Sequence, residues 1–515
     1  EILVEERADG GVPGGRVRGV RTAKGELHCY ARTFGVDPSR GGVVEARVKV
    51  VACSGPGGMG ILVADGVHEE FLTLYPNRLA LNHAGMEYPM DTTTAFHTYR
   101  VSVRGTYIRV DVDGKRVLEG SDAFSAPAFN SRSQVLFGSL SSPATGEALW
   151  EWVRYSVLRP RVPRLPGAED VVVYRQPGVY ACFPSLVLLE DGALYTSFGT
   201  RTHHSHIDPT GGTARRLSRD GGRTWQEFSG EVIDPSWRAA DGSLATAGPN
   251  GWRHVPADQR AALEARGIEP RPVPTKENTI AYAAGAFFRR STDGGKTWQR
   301  QEIPTPPLAL LMGYNRAASL RTHEGVRLVA VYGHPRGKPH DEVFVLRSAD
   351  DGKNWEFLPL ARDPEEKVSL NETALAENAA GQIVAMIRSE PPEGGHLYQS
   401  LSKDGGKTWS VPVRTPIWGY PAHLLRLRDG RLLCTYGYRR DAMGIRAVLS
   451  RDGGHTWDTH REIILRSDGV GNGSDLGYPL TVELPDGVLF TIYYMTNSDG
   501  ITHIAGTRWR VPAGE

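Results

Sequence analysis

The chain has 515 residues, of which 40% are hydrophobic and 23% are charged, as is typical of a folded globular protein. The formal net charge is +1, so neither a nucleic acid nor a membrane surface is expected as a partner, because both usually require a basic patch. No apolar run approaches the roughly 20 residues that span a bilayer, and four cysteines are too few for a disulfide framework.

The alternation of apolar and polar residues in the N-terminal part of the chain predicts antiparallel strands. The first residues, EILVEERADGG, have no basic n-region and no apolar h-region, so no signal peptide is visible. Localisation stays open, with a secreted or periplasmic protein slightly favoured if a signal was removed. Runs such as VVEARVKVVA and YIRVDVDGKRVLEG alternate apolar and polar residues, which indicates half-buried strands. Residues 1–158 are therefore expected to form a jelly-roll-like β-sandwich, and the proline-rich segment 159–167 a linker.

A turn motif repeats along the rest of the chain. SRDGGRTW, STDGGKTW, SADDGKNW, SKDGGKTW and SRDGGHTW begin at residues 218, 291, 348, 402 and 450, with gaps of 73, 57, 54 and 48 residues. A period near 50 residues built from short strands is typical of propeller blades. The fold class is therefore all-β, with the β-sandwich followed by a six-bladed β-propeller over residues 168–515.

The long first gap indicates an insertion near residues 230–275, which contains the helix-like run ADQRAALEARG. The repeated turn itself has a structural explanation. Its Asp and Ser side chains can bond the turn's own N–H groups, its glycines accept positive φ, and its Trp can pack on its own blade. Catalytic residues are therefore expected elsewhere in the chain.

The five turns resemble the Asp boxes of the sialidase (neuraminidase) superfamily, also called BNR repeats, and the N-terminal part resembles laminin-G or concanavalin-like domains. The resemblance implies a site at the propeller centre. There, arginines hold the substrate carboxylate, a Glu activates a Tyr nucleophile, and an Asp is the acid/base. A neutral Tyr suits a sugar whose anomeric carbon carries a carboxylate, and Tyr nucleophiles are a known exception to the two-carboxylate scheme.

Three positions match the superfamily's pattern. The segment LNETALAENAAGQIVAMIRS, residues 370–389, resembles the one in which a Glu begins an inner strand and an Arg ends the next strand. The resemblance assigns Glu372 as the activating base and Arg388 as a clamp arginine. In LGYPLTVELPDGVLFTIYY, Tyr478 stands eight residues before Asp486 of an Asp-Gly turn, which is the spacing of the nucleophile.

Further arginines are candidates for binding an anionic group. The segment YGYRRDAMGIRAVLS, residues 436–450, offers Arg439, Arg440 and Arg446, of which Arg440 fits the pattern best. Arg316 in LLMGYNRAASL is a candidate without a counterpart in the pattern, and Arg201 and Arg175 can supply charge near the first clamp position.

Two positions depart from the pattern. Cys182 stands where the first clamp arginine is expected, and a thiol cannot hold a carboxylate by charge. The expected acid/base position falls in FGTRTHHSHIDPTGG, where His206 is nearest and Asp208 follows. Histidine is a suitable acid/base near neutral pH, and His204 is a candidate for substrate binding. The 203–208 cluster is also compatible with a metal or with a plain loop. No zinc spacing occurs, and no dense carboxylate loop demands calcium. No cofactor is therefore evident, although both domains are compatible with calcium.

The favoured interpretation is an exo-acting, retaining glycoside hydrolase, exo-α-sialidase-like, that releases a terminal acidic sugar from a glycan or glycoconjugate. Alternatives are a propeller glycosidase or lyase that acts on uronic-acid or rhamnose glycans through the 203–208 loop, a propeller that binds carbohydrate without catalysis, and a scaffold that binds other proteins.

Overall fold

The chain divides into two compact units in the computed structural model. The structure describes residues 3–6, 18–22, 28–34, 36–129, 132–141, 143–157, 164–202, 211–230, 232, 234–273, 276–312, 315–390, 395–440, 442–469, 475–496 and 500–512. Unit 1 comprises Glu1–Val162 with Arg440–Met443 and Asp468–Asp475, and unit 2 comprises Pro163–Arg439, Gly444–Ser467 and Leu476–Glu515. No helix in the described ranges is long and apolar enough to cross a membrane.

Unit 1 contains two antiparallel-rich sheets and, where described, no helix of its own. Its strands are β1 (Leu3–Glu6), β2 (Arg18–Thr22), β3 (Cys29–Thr33), β4 (Gly42–Cys53), β5 (Gly60–Asp65), β6 (His68–Tyr75), β7 (Arg78–Leu81), β8 (Met86–Pro89), β9 (His97–Arg104), β10 (Tyr107–Val112), β11 (Lys115–Gly120), β12 (Ala126–Pro127), β13 (Ser133–Gly138) and β14 (Gly146–Val157). One sheet has the order β1-β14-β4-β9-β10-β11, with β2 on β14, and the other has the order β3-β13-β5-β6-β7-β8, with β12 on β6.

The predicted alternation in unit 1 is confirmed in β4. Val44, Ala46, Val48 and Val50 are buried, while the residues between them are partly exposed. Because successive side chains of a strand point to opposite faces, one face of β4 packs into the core of the unit. Trp150 of β14 is fully buried in the same core.

Unit 2 is built from short antiparallel sheets that follow one another along the chain. Its strands are β15 (Glu169–Tyr174), β16 (Tyr180–Cys182), β17 (Val187–Leu188), β18 (Leu194–Arg201), β19 (Gly212–Ser218), β20 (Gln226–Glu227), β21 (Leu244–Pro249), β22 (Trp252–Pro256), β23 (Arg271–Pro272), β24 (Thr279–Ala283), β25 (Ala286–Ser291), β26 (Gln299–Ile303), β27 (Leu308–Leu311), β28 (Ser319–Arg321), β29 (Arg327–Pro335), β30 (Glu342–Ser348), β31 (Glu356–Ala361), β32 (Leu370–Glu377), β33 (Ile383–Ser389), β34 (His396–Ser402), β35 (Val413–Trp418), β36 (Ala422–Arg426), β37 (Leu432–Tyr438), β38 (Met443–Ser450), β39 (Ile463–Gly469), β40 (Gly477–Glu483), β41 (Leu489–Thr496) and β42 (Thr502–Trp509). The one α-helix of the described chain is α1 (Arg260–Ala265).

We number these sheets I to VI in chain order. Sheet I is β16-β18-β19-β20 with β17, sheet II is β21-β25-β26, and sheet III is β27-β29-β30-β31 with β28. Sheet IV is β32-β33-β34-β35, sheet V is β36-β37-β38-β39, and sheet VI is β40-β41-β42. Strand β15, from the beginning of the unit, completes sheet VI by pairing with β42, so the two ends of the unit share one sheet.

The repeated turns follow β19, β25, β30, β34 and β38, and their predicted internal bonding is confirmed. In the fourth copy, the Ser402 hydroxyl donates to Asp404, and Asp404 accepts bonds from the N–H and hydroxyl groups of Thr408 at 2.9 and 2.6 Å. Burial alone would raise the pKa of the Asp404 carboxyl, but these bonds lower it to about 2. Each turn therefore stabilises the end of its own sheet through local contacts.

An inserted segment separates β21 from β25 in sheet II. The insertion was predicted near residues 230–275, and in the structure β22, α1, β23 and β24 lie between Pro249 and Ala286. The predicted helix is confirmed as α1, and β22-β24-β23 form a small sheet of their own. Leu263, Ile268 and Ile280 form its apolar core.

Candidate active site

Tyr478, Glu372 and Arg388 form one hydrogen-bonded cluster in unit 2. The Tyr478 hydroxyl donates to Glu372 Oε1 at 2.6 Å, although 106 residues separate the two positions. Arg388 Nη1 donates to Glu372 Oε2 at 2.7 Å and lies 3.4 Å from the Tyr478 hydroxyl. Tyr478 and Glu372 are 7% and 8% exposed, so the contact lies in a largely water-excluded setting in which charges interact strongly.

The cluster is positioned by irregular starts of two inner strands. The pairing of β32 with β33 shifts register between Leu370 and Thr373, where Glu372 lies, and the pairing of β40 with β41 shifts between Gly477 and Leu480, where Tyr478 lies. Such irregularities redirect a side chain from its regular alternation. Tyr478 itself has φ 49°, a backbone conformation that is costly for a bulky residue and that clusters at functional sites.

Gly477 is required for this geometry. Its φ is 111°, and a Cβ at this position would lie 2.9 Å from the Cα of Gly437. The start of β40 therefore lies close against the end of β37, and neither glycine has room for a side chain.

Two carboxylates surround the Arg388 guanidinium. Arg388 Nη2 donates to Glu390 Oε1 at 2.9 Å, and Asn371 Nδ2 donates to the same oxygen at 2.9 Å. Burial alone would lower the pKa of Arg388, but the negative charge of Glu372, followed by Tyr478 and Glu390, raises it well above the usual range. Arg388 therefore carries a permanent charge beside the Tyr478 oxygen, a position from which a positive charge favours ionisation of a phenol.

Aromatic rings enclose the cluster on the other sides. Tyr494 stacks on Tyr478 with centroids 5.7 Å apart, and Phe183 meets the Tyr478 ring edge-on at 4.7 Å. The Arg388 and Arg439 guanidiniums lie over the Tyr420 ring, 4.6 and 4.8 Å from its centroid. These contacts fix the Tyr478 ring and exclude water from its sides.

Arg439 contacts the aromatic residues of the cluster. The Arg439 guanidinium lies 5.9 Å from the Tyr478 ring centroid, and its Nε donates to the Leu476 carbonyl at 3.1 Å. Arg440 is exposed. Arg446 forms an ion pair with Glu462.

Cys182 occupies the core beside the cluster, and Arg201 lies next to it. Cys182 is fully buried and pairs with Gly199 of β18. A Cβ at Gly199 would lie 3.5 Å from the Cys182 Sγ and 3.6 Å from the Arg201 Nε, so the missing side chain leaves room for both groups. The Arg201 guanidinium lies 5.9 Å from the centroid of Phe183, the ring that contacts Tyr478.

The remaining candidates are exposed or fall outside the described residues. Arg316 and Arg175 are exposed. His204, His206 and Asp208 fall outside the described residues. No group of three or more His, Cys, Asp or Glu residues in the described ranges is arranged to hold a metal ion.

Sequence reasoning missed Glu390, Asn371 and Tyr420. Glu390 follows Arg388 by two residues, and Asn371 directly precedes Glu372. Their only signal was this closeness in the chain to predicted site residues, and their role depends on how β32 pairs with β33. Tyr420 had no signal, because it contacts the cluster from the connection between sheets IV and V.

Comparisons with known proteins show which families and structures the chain resembles. Residues 270–492 match the BNR repeat-like domain. The chain is 25% identical over 354 residues to a sialidase of Bacteroides fragilis (strain YCH46), covering 61% of this chain and 58% of the relative. It is 24% identical over 337 residues to a sialidase of Micromonospora viridifaciens, covering 60% of this chain and 49% of the relative.

A solved structure also resembles the chain. The crystal structure of a protein of unknown function from Dyadobacter fermentans DSM 18053 matches with 29% identity and a TM-score of 0.54, covering 68% of this chain and all of the other. This chain spans 58% and 49% of the two sialidases it matches, so it aligns with only part of each. Residues 270–492 thus resemble a BNR repeat-like domain, and the chain is similar, at low identity, to two sialidases.

Proposed function

We propose that this chain is a retaining glycoside hydrolase of the sialidase superfamily, with Tyr478 as its nucleophile. The observation that supports this most strongly is the 2.6 Å hydrogen bond from the Tyr478 hydroxyl to Glu372. A phenol is a weak nucleophile at neutral pH, and an adjacent base that takes its proton activates it. The similarity to two sialidases supports the same reaction class.

In the first step, Glu372 takes the phenolic proton while the Tyr478 oxygen forms a bond to the anomeric carbon. The bond from that carbon to the leaving oxygen breaks, and the leaving oxygen receives a proton from an acid. We assign the acid to His206 or Asp208 of the 203–208 loop. In the second step, the deprotonated acid takes a proton from water, whose oxygen forms a bond to the anomeric carbon as the bond to the Tyr478 oxygen breaks. Glu372 returns its proton to the phenolate. Two inversions give net retention of configuration.

The proposed substrate is a terminal, acidic sugar of a glycan. Arg388, Arg439 and Arg201 contact the ring system around Tyr478, and arginine binds carboxylates in a bidentate manner. In this proposal Arg439 replaces Arg440 as a clamp residue, and Arg201 supplies the charge that Cys182 lacks.

This function also requires a particular arrangement of the sheets. We propose that sheets I to VI are the six blades of a propeller and that unit 1 is a β-sandwich. The sharing of sheet VI by β15 and β42 supports the proposal, because such pairing is what closes a ring of blades.

A panel of aryl α- and β-glycosides tests the proposal. The sugars are N-acetylneuraminic acid, related nonulosonic acids, Kdo, glucuronic acid and rhamnose, and Tyr478→Phe is measured beside the natural protein. Release from a 2-keto acid sugar, lost in Tyr478→Phe, is expected. Release from glucuronic acid or rhamnose with full activity in Tyr478→Phe would contradict it. The control is Tyr438→Phe, because Tyr438 stacks with Arg446 and Trp418 and does not contact Glu372.

A further inference from the structure

The inserted segment begins and ends at one edge of sheet II. In other sheets, the equivalent edge carries residues of the candidate active site. In sheets I, IV and V, the connection between the second and third long strands begins beside Arg201, Arg388 and Arg439 respectively. The insertion is the equivalent connection of sheet II, between β21 and β25. The strands and the helix of the insertion are therefore attached to the edge of sheet II that corresponds to the active-site edge of the other sheets.

The insertion is fixed against sheet III at the same edge. Glu269 N donates to the Ala309 carbonyl at 3.0 Å, and Arg336 donates through Nε to the Gly267 carbonyl at 3.1 Å and also to the Arg266 carbonyl. Arg336 directly follows β29. Together with the small apolar core of the insertion, these bonds hold it as a fixed wall at the end of sheet III.

A polar cluster lies where the insertion meets the end of sheet III. His334 Nδ1 lies 3.4 Å from Asp341 Oδ1. Burial raises the pKa of the Asp341 carboxyl and Glu390 adds to the rise, while His334 and Arg271 oppose it. The Asp341 carbonyl accepts from Leu370 N at 3.1 Å at the start of β32, and Glu390 N donates to the Ser369 carbonyl at 3.1 Å. These bonds place Asp341 beside the strand that carries Glu372, so the cluster borders the candidate active site.

Register within the inserted sheet places Arg271 and His254 on the same face. Arg271 and His254 both pair with Ala281, from opposite sides of β24, so the three share a face. Arg271 and His254 are exposed, and Ala281 between them is fully buried. Arg253 pairs with Tyr282 and lies on the opposite face, the one that carries the small apolar core.

We propose that this face of the insertion, with Asp341 and His334, forms a subsite that binds hydroxyl groups of a glycan beyond the reacting sugar. Arg271 donates to such hydroxyls, and the Asp341 and His334 side chains offer both donors and acceptors. The inference rests on the proposed function, since it places the reacting sugar at Tyr478. It assigns the length preference of the enzyme to Arg271 and the insertion.

The chain offers a clean excision. Asn250 N donates to the Gly285 carbonyl at 2.9 Å, so the two ends of the insertion already pair. Replacing residues 251–284 with Asn-Gly, the preferred two-residue hairpin turn, leaves β21 and β25 joined. Arg271→Ala is the point variant, and Arg253→Ala is its control on the other face. Circular dichroism and the thermal midpoint verify that each variant folds.

Two substrates with the same terminal sugar are compared, an oligosaccharide and an aryl glycoside. Only the oligosaccharide can occupy the proposed subsite, so the comparison distinguishes a loss of binding there from a loss of catalysis. We expect Arg271→Ala to lower kcat/KM about tenfold for the oligosaccharide, as the loss of one charge-assisted hydrogen bond does. For the aryl glycoside, kcat/KM in Arg271→Ala is expected to change less than twofold. Arg253→Ala is expected to leave kcat/KM unchanged for both substrates. The excision is expected to lower kcat/KM for the oligosaccharide as much as Arg271→Ala does, or more. Equal losses on both substrates, or none, would overturn the subsite.

If the natural protein turns over no glycoside, the proposed function fails and calorimetry decides the subsite separately. Oligosaccharide binding that weakens about tenfold in Arg271→Ala supports the subsite without catalysis. Unchanged binding in that variant, or no binding by the natural protein, overturns it.

Discussion

Glu372→Gln keeps the shape of the side chain but removes the charge that accepts the Tyr478 proton. General-base catalysis contributes about 10²–10⁴-fold to a rate, so we expect kcat to fall by that factor, about 2.7–5.4 kcal/mol in activation free energy. Arg388 keeps Glu390 at 2.9 Å, so its charge stays paired. The free energy of unfolding is therefore expected to fall by only about 1–3 kcal/mol, the cost of weakening one charged hydrogen bond.

Glu390→Gln is the matched control. Both carboxylates bind Arg388, but of the two only Glu372 contacts the Tyr478 hydroxyl. The assay measures kcat and KM for an aryl glycoside that the natural protein hydrolyses, with urea denaturation of each variant. We expect Glu390→Gln to lower kcat less than tenfold. Equal losses of kcat in the two variants would refute the reasoning, because charge balance around Arg388 would then control the rate rather than proton transfer.

Three further predictions concern stability and binding. Asp404→Ala is expected to lower the unfolding free energy by about 1 kcal/mol with KM unchanged. Because the pKa of Asp404 in the folded protein is lowered to about 2, its contribution to stability is lost as the pH falls from about 4 towards 2. Urea titrations across that range that show no difference between the two proteins would contradict this. Burial lowers the pKa of His423 to about 4, so the unfolded chain binds more protons than the folded chain between pH 4 and 6.5. The unfolding free energy should therefore decrease as the pH is lowered from 6.5 to 4. His423→Gln should flatten this dependence, and an unchanged slope would contradict the prediction. Arg439→Ala should raise KM for an acidic aryl glycoside about tenfold in steady-state kinetics, and Arg440→Ala should leave KM unchanged. A higher KM in Arg440→Ala than in Arg439→Ala would instead indicate that Arg440 binds the anionic group.

The repeated turns were predictable in detail because their bonds are local. Ser402, Asp404 and Thr408 lie within seven residues and satisfy one another whatever the rest of the chain does. The helix α1 was predictable for a similar reason, since its residues favour helix individually. The strands β22 and β24 around it were not predicted, because they are short and mixed in composition and depend on each other for pairing.

The candidate site was predictable only in part. The positions of Glu372, Arg388 and Tyr478 came from a resemblance, and no local rule joins residues that are 106 positions apart. The choice between Arg439 and Arg440 depends on where β37 ends, because adjacent residues point to opposite sides at a strand end. Asp341 belongs to no motif, and its importance follows from burial beside sheet IV and the insertion.

Identification of the covalently modified residue tests the central claim most directly. The protein is incubated with a glycosyl fluoride of the released sugar that carries a second fluorine next to the anomeric carbon, which slows the hydrolysis of a glycosyl-enzyme. Intact-protein and peptide mass spectrometry then locate the label. We predict one adduct, on the peptide that contains Tyr478, and none in Tyr478→Phe. An adduct on Glu372 or in the 203–208 loop, or turnover with inversion of configuration, would contradict the account.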